Sequence, residues 1–496
     1  MLADRRVKIV ATMGPSTRTP ESIESCIRAG MNVARLNFSH GSHEDHLKTI
    51  QYIRRISEDL SAPVTILQDL QGPKIRVGKF EGGGIQLVAG EKVTLTMEPV
   101  LGKPGLIPSD FKELARSVKP GSKILLDDGL IEMRVLSAQD PLVQAEVIFG
   151  GFLKDRKGMN CPGIFLPVEC LTPKDLADLQ FGIAQKVDYV ALSFVREAKD
   201  IRILRELLQK AGSMARICAK IEMIEAIENL EEIVRLSDAV MVARGDLAVE
   251  IGQSKLPSAQ KRIISVCNEL NRPVITATQM LDSMVENPRP TRAEITDVAN
   301  AVIDGSDALM LSAETASGKH PSRCIETMHE IIQDVELSID RYYRISLENE
   351  FLGIPGSIAV SASLSALKLD AKVIVCLTTT GKTATMISAY RPRARIIAVT
   401  DQLGTLNQME LVWGIQTLAI KPYQKLSEVV PQVERQLIEY GLAFPGDKII
   451  LTYGHPISEA AKTNSIHIFN LNGESYQKSE DAAVPLRCRQ TSVSSL

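Results

Sequence analysis

Six short apolar runs in this 496-residue chain end in side chains suited to phosphates and divalent cations. Arg35, Asn37, Ser39 and His40 lie at or just past one run, and Asp69 past the next. Lys220-Ile221-Glu222 and Arg244-Gly245-Asp246 close two more; Thr276 and Thr278, then Ser312 and Glu314, close the last two. Glu222 and Asp246, two acids from different runs, suit a hard cation that keeps water and takes substrate oxygens, Mg²⁺ or Mn²⁺. A nearby lysine and two arginines suit a phosphorylated or carboxylated anion. On a strand, Lys220 and Glu222 point the same way while Ile221 packs behind them. A cation beside a metal-binding carboxylate is the arrangement that neutralises a phosphoryl group in transit. One such strand end would read as a surface ion pair; six sharing a rim would not.

Two other motifs carry weaker signals. His40, His43 and His46 recur every third residue. They lack a cysteine or fourth ligand, so helix capping and solvation explain them better than zinc. Thr378-Thr379-Thr380-Gly381-Lys382-Thr383 resembles the end of a P-loop, but Cys376 stands where that motif needs its first glycine. A strand ending in hydroxyls at a helix start still presents amides to a phosphate, with plain helix capping the alternative.

Elements must bring these groups together. Apolar runs at 7–12, 31–36, 63–68, 187–192, 216–221, 239–242, 273–276 and 307–311 predict strands, most of them separated by helix-length amphipathic segments. Eight consecutive βα units predict an α/β fold, a (β/α)8 TIM barrel whose rim gathers the polar strand ends. An open doubly wound sheet shares the same local pattern. The step from the third run to the fourth is far too long for one crossover. Its excess is rich in Gly, Pro and short alternating segments, and predicts an inserted small β-barrel acting as a lid. The expected division is barrel 1–71, lid 72–162, barrel 163–336, a C-terminal α/β effector and oligomerisation domain 337–472, and a flexible tail 473–496.

Composition removes other classes. With 57 Lys+Arg against 60 Asp+Glu, the net charge of −3 offers nothing to nucleic acid or an anionic membrane. Aromatics at 4% leave few stacking platforms for bases. No stretch reads as a membrane span or signal peptide. Eight scattered cysteines without a CxxC pair suit a reducing cytoplasm.

Several strings together resemble the pyruvate kinase family. They are Arg35-Leu36-Asn37-Phe38-Ser39-His40-Gly41, Gln68-Asp69-Leu70-Gln71-Gly72-Pro73-Lys74-Ile75-Arg76, Lys220-Ile221-Glu222, Met241-Val242-Ala243-Arg244-Gly245-Asp246-Leu247 and Ala277-Thr278-Gln279-Met280-Leu281. Pro290-Thr291-Arg292-Ala293-Glu294 and Leu311-Ser312-Ala313-Glu314-Thr315-Ala316 continue the match. The resemblance implies phosphoryl transfer from phosphoenolpyruvate to ADP, giving pyruvate and ATP. It implies Mg²⁺ (or Mn²⁺) on Glu222 and Asp246, and Lys220 stabilising the phosphoryl group. Gly245, Asp246 and Thr278 would line the phosphoenolpyruvate site, with Thr278 near the face where the enolate is protonated. Arg35 and Arg76 would hold phosphates, and Asn37, His40, Asp128 and Lys157 would complete the nucleotide site. A homotetramer is implied as well, and a phosphorylated effector at Thr378–Thr383.

The chain also departs from the family pattern. The resemblance implies a K⁺ site from Asn37, Ser39, Asp69 and the Leu70 carbonyl, yet Lys74 replaces the usual glutamate nearby. The expectation is that its ammonium sits where K⁺ would, and that K⁺ is not required. The loop from Tyr453 to Ser458 lacks an arginine used for a bisphosphate, so a monophosphate such as ribose 5-phosphate or AMP is expected. Another Mg²⁺-dependent barrel, a lyase or aldolase, would explain the acids but not the lid; a non-catalytic sensor would have lost Lys220, Glu222 or Asp246.

Overall fold

The structure, a computed structural model, describes residues 5–164, 169–338, 353–457 and 462–472. The expected tail 473–496 and Ser458 lie outside the described residues. Eight parallel strands form a closed barrel: Lys8–Met13, Val33–Asn37, Thr65–Asp69, Tyr189–Leu192, Arg216–Ile221, Ala239–Ala243, Val274–Ala277 and Ala308–Leu311. The first strand pairs with the eighth, Lys8 beside Ala308, which excludes the open sheet. The strands are apolar on both sides because one face meets helices and the other fills the barrel. Val10, Leu67, Ala191, Cys218, Met241, Ile275 and Met310 form that interior cluster.

Between the third and fourth barrel strands lies an all-β insertion. Its six-stranded sheet includes the long hairpin Ile131–Gln139 and Leu142–Phe149, and a two-stranded ribbon pairs Gly84–Leu87 with Gly151–Lys154. Both share a separate core that includes Val93, Ile124, Met133 and Leu153. The chain leaves the barrel through Gly72, whose φ of 68° and a Cβ that would lie 2.9 Å from Phe194 and Ser193 leave room for no side chain.

The last domain has a five-stranded sheet ordered Ile415–Ala419, Arg395–Thr400, Val373–Leu377, Lys448–Tyr453, Ser465–Asn470, its last strand antiparallel. The outer two strands do not stand out in the sequence. Ile415–Ala419 is short and interrupted by Gln416 and Thr417, and Ser465–Asn470 is a half-exposed edge carrying polar residues. Residues 405–415 of this domain form the barrel's floor. Leu411 is buried in the barrel's interior cluster. Around it, Thr65 Oγ1 donates to Asn407 O (2.5 Å), Tyr189 OH to Gln408 O (3.3 Å), and Asn32 Nδ2 to Glu410 Oε2 (2.8 Å). The insertion, the expected lid, meets the opposite end, where Lys74 and Asn160 contact Asp246 and Glu250.

Candidate active site

Lys220, on the fifth strand, is the hub of that open end. Its Nζ lies 2.7 Å from Ser193 Oγ, 3.2 Å from Asp69 Oδ1 and 3.0 Å from Glu222 Oε1. Burial works against its charge, but Asp69 and Glu222 outweigh burial and hold the ammonium protonated, its pKa above the usual lysine value. Asp69 is itself buried, which opposes its charge, yet Lys220 and Arg35 keep its carboxyl below the ordinary range. Arg35 Nε donates to Asp69 Oδ2 at 2.7 Å, and its Nη1 to Thr12 Oγ1 at 3.0 Å. Glu222 Oε2 accepts from Phe194 N (2.8 Å). Burial raises the Glu222 pKa, Lys220 opposes the rise and the Asp246 carboxylate adds to it.

The sixth strand runs straight into the helix Arg244–Ile251, placing Gly245 and Asp246 in its first turn. Thr278 Oγ1 accepts from Gly245 N (2.9 Å) and donates to Ala277 O (2.6 Å). Thr278 and Gln279 have φ of 68° and 51°, a left-handed backbone that a β-branched residue adopts only at a cost of about 1–3 kcal/mol. Arg244 holds that backbone. Its guanidinium donates to Ala277 O (3.1 Å), Thr278 O (2.5 Å) and Gln279 O (3.2 Å), and pairs with Asp297 at 2.8 Å. The sequence marks Arg244 as a rim residue but does not reveal this clamp. Glu314 works similarly on the backbone, accepting from Leu281 N and Ser312 N.

The lid brings its own groups. Lys74 Nζ is 3.0 Å from Asp246 Oδ1 and 3.8 Å from Asp128 Oδ1, and Lys157 Nζ is 2.7 Å from Asp127 Oδ1. This corrects the expected position of Lys74, whose ammonium bonds to Asp246 rather than joining Asn37, Ser39, Asp69 and Leu70. Asp69 is already neutralised by Arg35 and Lys220, so the long side chain reaches the acid left over. Within the expected K⁺ group, Asn37 Oδ1 accepts from Ser39 N (3.1 Å) and the Leu70 carbonyl from Ser193 Oγ (2.7 Å). Partial burial, then the charges of Arg76, Arg35 and Lys174, lower the pKa of His40. The other histidines diverge. His43 Nε2 bonds Asp178 at 2.6 Å, and His46 bonds the His40 carbonyl and stacks on Phe38. Ser42, rather than a histidine, caps their helix.

Thr378–Thr383 lies in the C-terminal domain, away from this rim, where Thr378 Oγ1 accepts from Gly381 N at 2.9 Å. With Lys382, Tyr423, Tyr453 and Lys462 it lines a cavity of about 510 Å³.

Two family models cover most of the chain: "Pyruvate kinase, barrel domain" over residues 4–325 and "Pyruvate kinase, alpha/beta domain" over 356–469. The chain belongs to the pyruvate kinase family. Pyruvate kinases of Staphylococcus aureus strains MRSA252 and USA300 are each 43% identical to it over 474 residues, 95% of this chain and 81% of theirs. A crystal structure of a pyruvate kinase from Cryptosporidium parvum superposes with a TM-score of 0.90 at 37% identity, covering 95% of this chain and 98% of that one.

For a pyruvate kinase fold that uses a divalent cation, the donor set fits. Glu222 and Asp246 offer hard oxygens at the ends of adjacent strands and would be the ligands; burial first, and the Asp246 carboxylate after it, raise the Glu222 pKa, and a cation there would offset both. Among the described residues no cluster of three or more His, Cys, Asp or Glu is arranged to hold a metal, so water and substrate oxygens would complete the shell, as Mg²⁺ prefers.

Glu250, at the far end of the Asp246 helix, went unnoticed in the sequence. It accepts from Asn160 Nδ2 of the lid's return strand at 3.0 Å. Burial, opposed by that bond and aided by Glu225 and Asp246, pushes its pKa up to about 7. A raised carboxyl pKa stabilises the fold fully below the unfolded value, and the contribution is lost as pH rises through the folded one. Between about pH 4.5 and 7, Glu250 therefore makes stability fall with rising pH. Thermal melts of Glu250→Gln should show a flatter pH profile and a higher midpoint than wild type at pH 8; identical profiles would refute this assignment.

Proposed function

We propose that this chain transfers the phosphoryl group of phosphoenolpyruvate to ADP, giving pyruvate and ATP. The observation that carries the reading is Lys220 held between Asp69 and Glu222, facing a rim that also presents Arg35, Asp246 and Thr278 beneath a lid. The bond between phosphorus and the enol oxygen breaks as a terminal phosphate oxygen of ADP bonds phosphorus. The enolate left behind takes a proton at carbon to become pyruvate. Lys220 and Arg35 balance the charge of the group in transit, and Gly245, Asp246 and Thr278 hold the substrate, with the Thr278 hydroxyl toward the carbon that is protonated. A divalent ion held by Glu222 and Asp246 would supply further neutralisation of phosphate and enolate charge. Arg35, Arg76 and Lys174, whose charges all act on His40, suit ADP phosphates, and Asn37, His40, Asp128 and Lys157 are assigned to the same nucleotide site. Lid closure over the rim keeps water from a hydrolysable donor.

Activity without K⁺ is part of the proposal. Its support is that Asp69 carries internal ion pairs while Lys74 places a fixed positive charge on Asp246. The Thr378–Thr383 pocket, with two lysines and no arginine among its described lining residues, favours a singly phosphorylated activator. A homotetramer in the cytoplasm follows the family resemblance; no helix among the described residues is long and apolar enough to cross a membrane.

Pyruvate formation from phosphoenolpyruvate and ADP with Mg²⁺ should proceed equally with and without K⁺, and no turnover under either condition would shift weight to a lyase or a sensor. Lys220→Met should lower turnover by at least ~10²–10³, the scale for losing one preorganised electrostatic stabiliser. Lys74→Glu should make turnover rise with added K⁺; indifference would sink the role given to Lys74. Calorimetry should show ribose 5-phosphate or AMP binding more tightly than fructose 1,6-bisphosphate, and the reverse order would overturn the monophosphate reading.

A further inference from the structure

The pocket loop and the catalytic strand meet at one side chain. Arg216 opens the fifth barrel strand, Arg216–Ile221, which ends in Lys220 and leads to Glu222. Its Nη2 donates to Thr380 O at 2.7 Å, linking the barrel to the loop of the C-terminal domain. Its guanidinium also lies over the Tyr189 ring, 6.0 Å from the centroid, with Nη1 3.4 Å from the Tyr189 hydroxyl. Tyr189 OH in turn bonds Gln408 O, on the helix Leu403–Met409 beneath the barrel. That helix grips the same loop, since Thr405 Oγ1 donates to Thr379 O at 2.7 Å.

Peptide geometry makes this contact responsive. The Thr380 carbonyl and the Gly381 N–H belong to one planar peptide unit. The N–H donates to Thr378 Oγ1, a hydroxyl of the pocket lining, while the carbonyl accepts from Arg216. An anion that captured the Gly381 N–H would pull on that plane, and the carbonyl, being part of it, would shift as well. Gly381 is closely packed on the helix Leu403–Met409, since a Cβ there would lie 2.4 Å from Met409 Sδ. On the barrel side, Arg216, Cys218 and Lys220 alternate onto one face, and Cys218 is packed in the interior cluster. Arg216 and Lys220 thus stand on the order of 13 Å apart along a single buried strand.

We propose that Arg216 is a positioning residue for phosphoryl transfer, transmitting occupancy of the Thr378–Thr383 pocket through the Thr380–Gly381 peptide to the strand that carries Lys220. This rests on the proposed effector site, but the coupling is reciprocal and can be read from the other end. Hydrogen exchange over residues 378–383 is measured on the full chain with and without phosphoenolpyruvate and Mg²⁺, in wild type, Arg216→Gln and Arg216→Lys. Substrate should slow loop exchange about fivefold, the low end of typical coupling, in wild type. The lysine variant, which keeps a charged donor, should retain most of that ratio, and the glutamine variant should lose it. A merely structural role would change exchange equally with and without substrate and leave the ratio intact in Arg216→Gln. That result, or no substrate effect in wild type, overturns the proposal; should Arg216→Gln fail to fold, Arg216→Met is read in its place. Calorimetry with ribose 5-phosphate, AMP and fructose 1,6-bisphosphate separates the two readings. If none binds, the effector site falls, while an Arg216-dependent loop response stands without it.

Discussion

The site depends on a charge balance that water cannot supply. Asp69 and Glu222 are almost wholly buried, and buried carboxylates persist as ions only when paired and hydrogen-bonded. Lys220 answers both, and Arg35 answers Asp69 a second time. The four residues come from the second, third and fifth barrel strands and the turn that follows, so the balance exists only once those strands lie side by side in the sheet. Removing any one of them leaves an uncompensated buried charge, which is why the fold tolerates this much polarity at one end and almost none in the middle.

Around that core, the remaining rim groups are held by backbone rather than by packing. Thr278 sits in a left-handed conformation it would not choose, and Arg244 bonds three successive carbonyls to keep it there. The strain is local and the restraint comes from another strand end. The lid is tied to the same helix at two points, through Lys74 to Asp246 and Asn160 to Glu250. Its attachment and Asp246 therefore share one rigid element.

Much of this organisation is legible in the sequence. The eight apolar runs, the overlong third connection and the polar strand ends place the barrel, the insertion and the rim. What escapes is whatever depends on where long side chains end. Lys74 can reach several acids, and its choice follows from Asp69 being already satisfied, which no linear pattern reveals. Arg244 looks like a ligand for an anion until its carbonyl partners are seen. Glu250 reads as an ordinary helical surface acid because nothing in its neighbours announces that the lid will cover it. The two outer strands of the last domain escape for a related reason: each is short, and polar residues blur its pattern.

The barrel's floor has a further consequence. Leu411 and the chain around it complete an interior whose first strand begins at Lys8, so the two contributions lie some 400 positions apart in the order of synthesis. A ribosome delivering this chain from its N-terminus exposes the barrel's lower opening until that late segment emerges. The early strands can pair and the lid can fold on its own core, but the bottom of the barrel waits with apolar surface uncovered. Residues that serve as a foundation in the finished protein are, during its birth, the last stone set.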